Sequence, residues 1–118
     1  MSLESDLFNT LKVICPRVYP DIAPANTARP YITWQQFGGN VINPLANELP
    51  DKRNAFIQIS IWADTRLAAN ALALQIESAL VQSNLFTARP QAALMALPFE
   101  EETGLYGCSQ DFSIWALR

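Results

Sequence analysis

The chain has 118 residues, of which 50% are hydrophobic and only 16% charged, and its formal net charge is −3 with no histidine. This length fits one domain with its own core, while the missing histidine excludes Ser-His-Asp and Cys-His catalysis and the commonest zinc ligand. The basic residues form no cluster, so nothing in the sequence indicates nucleic-acid binding. The share of charged residues is below the usual quarter or so, which predicts surplus apolar surface and favours a subunit of an assembly.

No motif indicates a catalytic, cofactor-binding or metal site. The sequence lacks a phosphate-binding glycine loop, a glycine-flanked serine and a carboxylate pair on one helical face. Cys15 and Cys108 are far apart and lack metal-ligand spacing, so we expect two small buried hydrophobes. We expect no secretory signal and no membrane span, because no basic segment leads into an apolar run and no apolar stretch approaches 18 residues, and hence a reducing cytoplasm.

The first predicted element is a helix over residues 2–14. Ser2 is placed to cap it, and Pro16 ends it because proline lacks an N–H group. Its apolar stripe, at helical spacing, is Leu3, Leu7, Leu11 and Ile14. Repeated prolines up to Pro30 then predict a surface loop with a short edge strand at residues 18–19.

Two strands with a long connection follow. Residues 31–37 predict the first, and residues 55–62 predict an antiparallel return, since Ile57, Ile59 and Ile61 occupy every second position. The opposite face of the returning strand carries Phe56 and Trp62, and is therefore partly aromatic. The connection, residues 39–54, is rich in turn formers and has Lys52 and Arg53 at its exit. It is either an extended hairpin loop or a loop that reaches a partner.

A second helix is predicted over residues 65–83, with Asp64 as the capping residue. One broad apolar face should cover the isoleucines: Ala69, Leu72, Ala73, Ile76, Ala79 and Leu80. Leu67, Leu74 and Val81 repeat every seven residues almost opposite that face. Two interpretations stay open for this stripe: the first helix or a terminal segment covers it, or it is a seam with a neighbouring subunit.

The last predicted elements form a second hairpin. Residues 92–99 alternate as a strand, residues 100–104 make a turn, and residues 105–117 form a long strand with Trp115 on its mostly polar face. The element order is then helix, short strand, hairpin, helix, hairpin. The sequence therefore predicts one α+β domain over residues 1–118, with a single antiparallel-rich sheet and two helices packed on one face.

A set of segments occurs in a particular order and spacing: the opening Leu-x-x-x-Leu helix with residues 17–20, then residues 29–35, 57–63, 99–100, 103–106 and 110–115. Together these segments resemble the small phage tail-completion family, also found as prophage proteins. Phe56 departs from that pattern, which favours a polar or basic residue there.

The resemblance implies a non-enzymatic structural protein of the virion tail, present in the bacterial host cytoplasm during assembly. Related proteins form rings with copies of themselves, often of six subunits, which cap the tail tube and present a surface to the head connector; no cofactor, nucleic-acid specificity or membrane is implied. A stand-alone dimeric binding module of the same fold is the alternative, and a small carboxylate enzyme would need Asp111 or Glu100 in a concave pocket. Candidate contact residues are Leu67, Leu74, Val81, Phe56, Trp62, Trp115, Lys52 and Arg53.

Overall fold

The computed structural model describes residues 2–45 and 47–118 and has two helices on one face of a six-stranded sheet. This confirms the predicted α+β class and the mostly antiparallel sheet. In chain order the elements are α1 (Leu3–Ile14), β1 (Val18–Pro20), β2 (Tyr31–Gly38), β3 (Lys52–Ala63), α2 (Arg66–Gln82), β4 (Thr87–Pro90), β5 (Met95–Ala96) and β6 (Tyr106–Leu117).

Strands β3 and β6 form the centre of the sheet. They pair antiparallel along all twelve residues of each strand, and the side chains of Ile57, Ile59 and Ile61 on one face are buried, as their period of two predicts. β2 is antiparallel to β3, and β1 lies parallel to β2 at one edge. β4 and β5 follow one another along the far side of β6. The sheet therefore has short strands at both edges.

Both helices bury their predicted apolar stripes against this inner face of the sheet. Ser2 and Ser5 form a capping box at the start of α1. α1 contacts α2 and β1, whereas α2 covers β3, β4 and β6. The helical residues buried in the core are Leu3, Leu7 and Leu11 of α1 and Ala69, Ala73, Ile76 and Leu80 of α2.

The capping residue of α2 differs from the prediction. The side chain of Thr65, not Asp64, accepts a hydrogen bond from the N–H of Ala68. Thr65 has extended dihedral angles and directly precedes the first helical residue, which is the geometry of an N-cap. Asp64 instead forms an ion pair with Arg29 at 3.0 Å. Aspartate and threonine both favour the N-cap position, and Thr65 occupies it because the helix begins at Arg66.

β3 begins earlier than predicted. Lys52 and Arg53 are its first residues, paired with Leu117 and Ala116 of β6, so they belong to the strand and not to the connection before it. β2 ends at Gly38, opposite Phe56, and the first residues of β3 therefore pair with β6 alone. The long connection is accordingly shorter, residues 39–51, and is called the arm below.

The predicted strand over residues 92–99 is confirmed only at Met95–Ala96. The other pairing with β6 involves β4, which includes Pro90; proline is tolerated there because this is an edge strand. From the pair Pro90–Phe112 to the pair Met95–Ser109, the edge segment covers five residues while β6 covers only three, so the edge segment bulges between β4 and β5. The buried amide of Gln110 holds this bulge by donating to the carbonyl oxygen of Ala92 at 2.8 Å.

Candidate assembly surface

The solvent-facing side of α2 carries no ionisable residue, although surface helices usually place charges there. Leu67, Leu74 and Val81 remain 82%, 57% and 40% exposed, so α1 does not cover them. Small side chains, two alanines and one serine, continue the stripe between the larger ones. The exposed residues of α2 are Leu67, Ala68, Ala71, Leu74, Gln75, Ser78, Val81 and Gln82.

The two charged side chains of α2 are both engaged within the chain. Arg66 donates to the carbonyl oxygens of Leu97 and Gly107 and lies over the ring of Tyr106. Glu77 accepts a hydrogen bond from Gln110 at 2.6 Å. The charges of the helix therefore fix the β5–β6 region, and neither of them hydrates the exposed face.

The sheet has an outer face, on the side away from both helices. Strand alternation places Phe56 and Trp62 of β3 and Trp115 of β6 on it. All three are half-buried, partly because aromatic neighbours pack on them: Tyr31 stacks on Trp62 and Phe37 contacts Phe56, with ring centroids 6.5 and 5.9 Å apart. These aromatic side chains thus expose less surface than the sequence suggests.

The arm adds a second group of exposed aliphatic residues, at the end of the sheet where β2 stops. Its base is fixed by the buried side chain of Asn54, whose Oδ1 accepts from the N–H of Asn40 at 2.9 Å while its Nδ2 donates to Ser113 Oγ at 2.9 Å. Beyond that anchor the aliphatic side chains face solvent. They are Val41, Ile42, Leu45 and Leu49.

Lys52 and Arg53 have different surroundings at the base of the arm. Arg53 is bound to Glu4 at 2.5 Å and contacts Gln36 Oε1 at 3.4 Å. Burial opposes ionisation of Glu4, but the hydrogen bond and the charge of Arg53, together with a backbone hydrogen bond, lower the pKa of its carboxyl. Lys52 is exposed and borders the same depression as Arg118. Lys52 is therefore more available to a partner than Arg53.

The two carboxylates considered for catalysis and the two cysteines lie at separate places, and Glu100 shares an open depression with Glu101 and Glu102. Asp111 lies on the open outer face, and Glu100 lies at the exposed turn before β6. Cys15 and Cys108 are buried and unpaired, as predicted; burial raises the pKa of the Cys108 thiol against the opposing charge of Arg66. Across residues 2–45 and 47–118, no group of three or more histidine, cysteine or carboxylate side chains is placed to bind a metal ion, and no helix is long and apolar enough to cross a membrane.

Sequence reasoning named this loop as a possible contact with a partner, but it singled out Lys52 and Arg53 and not the aliphatic residues of the arm. A signal was present, because the sequence from position 37 to position 47 contains no charged residue. Sequence reasoning also did not predict the hydrogen bonds of Arg66 and Glu77, because these bonds depend on the strands that pack beside the helix.

The sequence model of the family described as "Tail completion protein gp17" matches residues 6–117. Among solved structures, a chain of "Virion of native gene transfer agent (GTA) particle" matches with a TM-score of 0.60 at 17% identity, covering 99% of this chain and 96% of that one, which shows a shared fold. A second solved structure matches with a TM-score of 0.49 at 12% identity, with 96% of each chain covered, and carries no argument. No curated protein matches the sequence.

Proposed function

The chain belongs to the tail completion protein gp17 family, and we propose that it forms a ring of identical subunits that ends a tail tube and joins it to the head connector. Membership of this family makes it a structural component of a phage-type tail. Its similarity in fold to a chain of a gene transfer agent virion agrees with a place in such a particle. In this proposal its partners are tail-tube and head-connector proteins, and it passes through the host cytoplasm during assembly.

The main observation in support of a ring is the uncharged exposed face of α2. Eight exposed residues there include three large aliphatics, and the two charges of the helix are held by the sheet. Transfer of such a surface out of water is favourable by about 25 cal/mol per Å². A single subunit leaves this free energy unused, and a second protein surface recovers it.

The test measures the mass of the purified protein by light scattering, alone and with tail tubes, and examines the mixtures by electron microscopy. We expect rings that sit on tube ends, with or without free rings in solution. A strict monomer at high concentration in both samples contradicts the proposal. A dimer that ignores tubes contradicts it too, and favours a stand-alone binding module.

A matched pair of variants links the ring to α2. Leu74→Glu places a charge in the exposed face, and we expect at least a roughly tenfold loss of ring or tube-bound protein because the charge becomes buried and unpaired. Val13→Glu is the control, since Val13 is an exposed aliphatic residue, 88% exposed, on α1. Circular dichroism should show both variants folded. If both variants assemble equally well, α2 does not take part in the contact between subunits.

A further inference from the structure

We propose that the exposed face of α2 in one copy packs on the outer sheet face of the next copy, an inference that rests on the ring proposed above. In this arrangement each subunit becomes three-layered: its own helices cover one face of its sheet, and the α2 helix of a neighbour covers the other. The two patches are different surfaces of one chain, so the contact is heterologous, as a ring requires.

The outer face is unusual for a sheet surface in water. An antiparallel sheet that keeps one face solvated normally alternates apolar residues inside with polar residues outside. Here the outer positions of β2, β3 and β6 include aromatic rings on all three strands, and the charged residues among them are Asp111 in the middle of β6 and Lys52 at the arm end. The aromatic members are Tyr31, Phe37, Phe56, Trp62 and Trp115.

The two surfaces match in polarity and in length. The exposed face of α2 carries no charge and the central part of the outer face carries one, so their contact covers the carboxylate of Asp111, which is half-buried near Ser113 on the same face. α2 has 17 residues and is about 25 Å long. The β3–β6 pair has 12 residues in each strand and is about 40 Å long, so it accommodates the whole helix.

The exposed area is sufficient once the arm is included. From the exposure of their side chains, the stripe on α2 and the aliphatic residues of the arm together present roughly 800 Å² of apolar surface, which is what each side of a standard interface buries. The C-terminal end of the stripe is the part nearest the arm, because residues 83–87, which follow α2, and Lys52 at the base of the arm border one depression. The stripe alone is about half of this area and would be a weak contact.

The twist of the sheet gives each subunit a rotation relative to its neighbour. Adjacent strands rotate by roughly 20–25°, and α2 covers β3, β4 and β6 but not β1 or β2. The outer surface over β2 and β3 is therefore tilted relative to the direction in which α2 faces. Each copy joined in this way is rotated relative to the one before it, and a heterologous contact of this kind forms a ring when its rotation closes.

The decisive experiment places the photo-reactive residue p-benzoylphenylalanine at position 74. Rings assembled from a mixture of unlabelled and ¹⁵N-labelled chains are irradiated, and peptides joined across the two labels are identified by mass spectrometry. We expect links from position 74 to residues 56–62 of β3 or residues 111–115 of β6 in a different copy. The same probe at position 13 on α1 is the control and should not link to these strands.

The outcomes separate this inference from the proposed function. Rings whose position 74 links to α2 of another copy, or to tail-tube protein, overturn the helix-on-sheet contact and leave the ring intact. The absence of rings on tube ends overturns the proposed function and this inference together. Ser60→Lys supplies a second measurement: Ser60 is central on the outer face, and we expect roughly tenfold weaker assembly with an unchanged thermal midpoint.

Discussion

At the scale of single residues, Gly107 determines how Trp62 lies on the sheet. The two residues are directly opposite in the β3–β6 pair, and a Cβ atom at position 107 would lie 2.6 Å from the indole ring. Gly107→Ala should therefore displace the ring and destabilise the fold by about 1–3 kcal/mol. Urea unfolding measures this, with Ser109→Ala on the same face as control. Equal stability of the two variants would contradict the close contact.

The ion pair between Glu4 and Arg53 predicts a dependence of stability on pH. The pKa of folded Glu4 is below its ordinary value of 4.5, so its contribution is present above that pH and is lost as the pH falls through the folded pKa. The side chain of Glu4 is 43% exposed, so screening by solvent limits the contribution to about 0.5–1 kcal/mol.

Glu4→Gln should accordingly lower the free energy of unfolding at pH 7, and the difference from the unchanged protein should shrink toward pH 3. Urea unfolding across this range measures both. On an Arg53→Gln background the same substitution should have a smaller effect with little pH dependence. If the difference in unfolding free energy instead grows as the pH falls, the pKa of folded Glu4 is not lowered.

At the scale of elements, the start of α2 offers a test of the cap. Thr65→Ala removes the acceptor for the N–H of Ala68 and should cost about 1 kcal/mol. Asp64→Ala breaks only its exposed ion pair with Arg29 and should cost clearly less. Thermal unfolding of the two variants decides the point. If Asp64→Ala is the more destabilising, the aspartate caps the helix.

Periodicity in the sequence predicted the elements whose own residues determine them. The stripe of leucines predicted α1, the alternating isoleucines predicted β3, and Leu67 with Leu74 and Val81 predicted a second apolar stripe on α2, opposite its buried face; whether another segment covers that stripe was open until the structure showed it exposed. The errors lie where a distant segment decides. β3 extends to Lys52 because β6 is there to pair with it, and β4 tolerates Pro90 because one side of that strand has no partner strand.

At the scale of the whole molecule, the chain is extended. Its radius of gyration is 15.2 Å and its longest dimension 53 Å, about twice the other two, whereas a compact domain of this length has a radius near 13.5 Å. The long β3–β6 pair and the arm that continues beyond β2 account for the elongation. A shape of this kind leaves more surface facing solvent than a sphere of the same volume would.

The arm should be needed for assembly and dispensable for folding. Its aliphatic side chains Val41, Ile42, Leu45 and Leu49 are exposed, and its anchor lies at Asn40 and Asn54. Replacing residues 41–50 by a three-residue Gly-Ser linker therefore leaves the anchor and every strand in place. Loop-closure entropy changes by only about 1 kcal/mol for such a shortening.

We expect the shortened protein to unfold within a few degrees of the intact one and to lose about half of the apolar contact area, with at least a tenfold drop in rings on tube ends. Thermal unfolding and electron microscopy measure the two properties on the same sample. Exchanging Leu45 and Leu49 for serine in the full-length arm is the matched variant, because it keeps the length of the chain and removes only the aliphatic surface. If the serine variant assembles normally and the shortened one does not, the length of the arm matters rather than its apolar side chains.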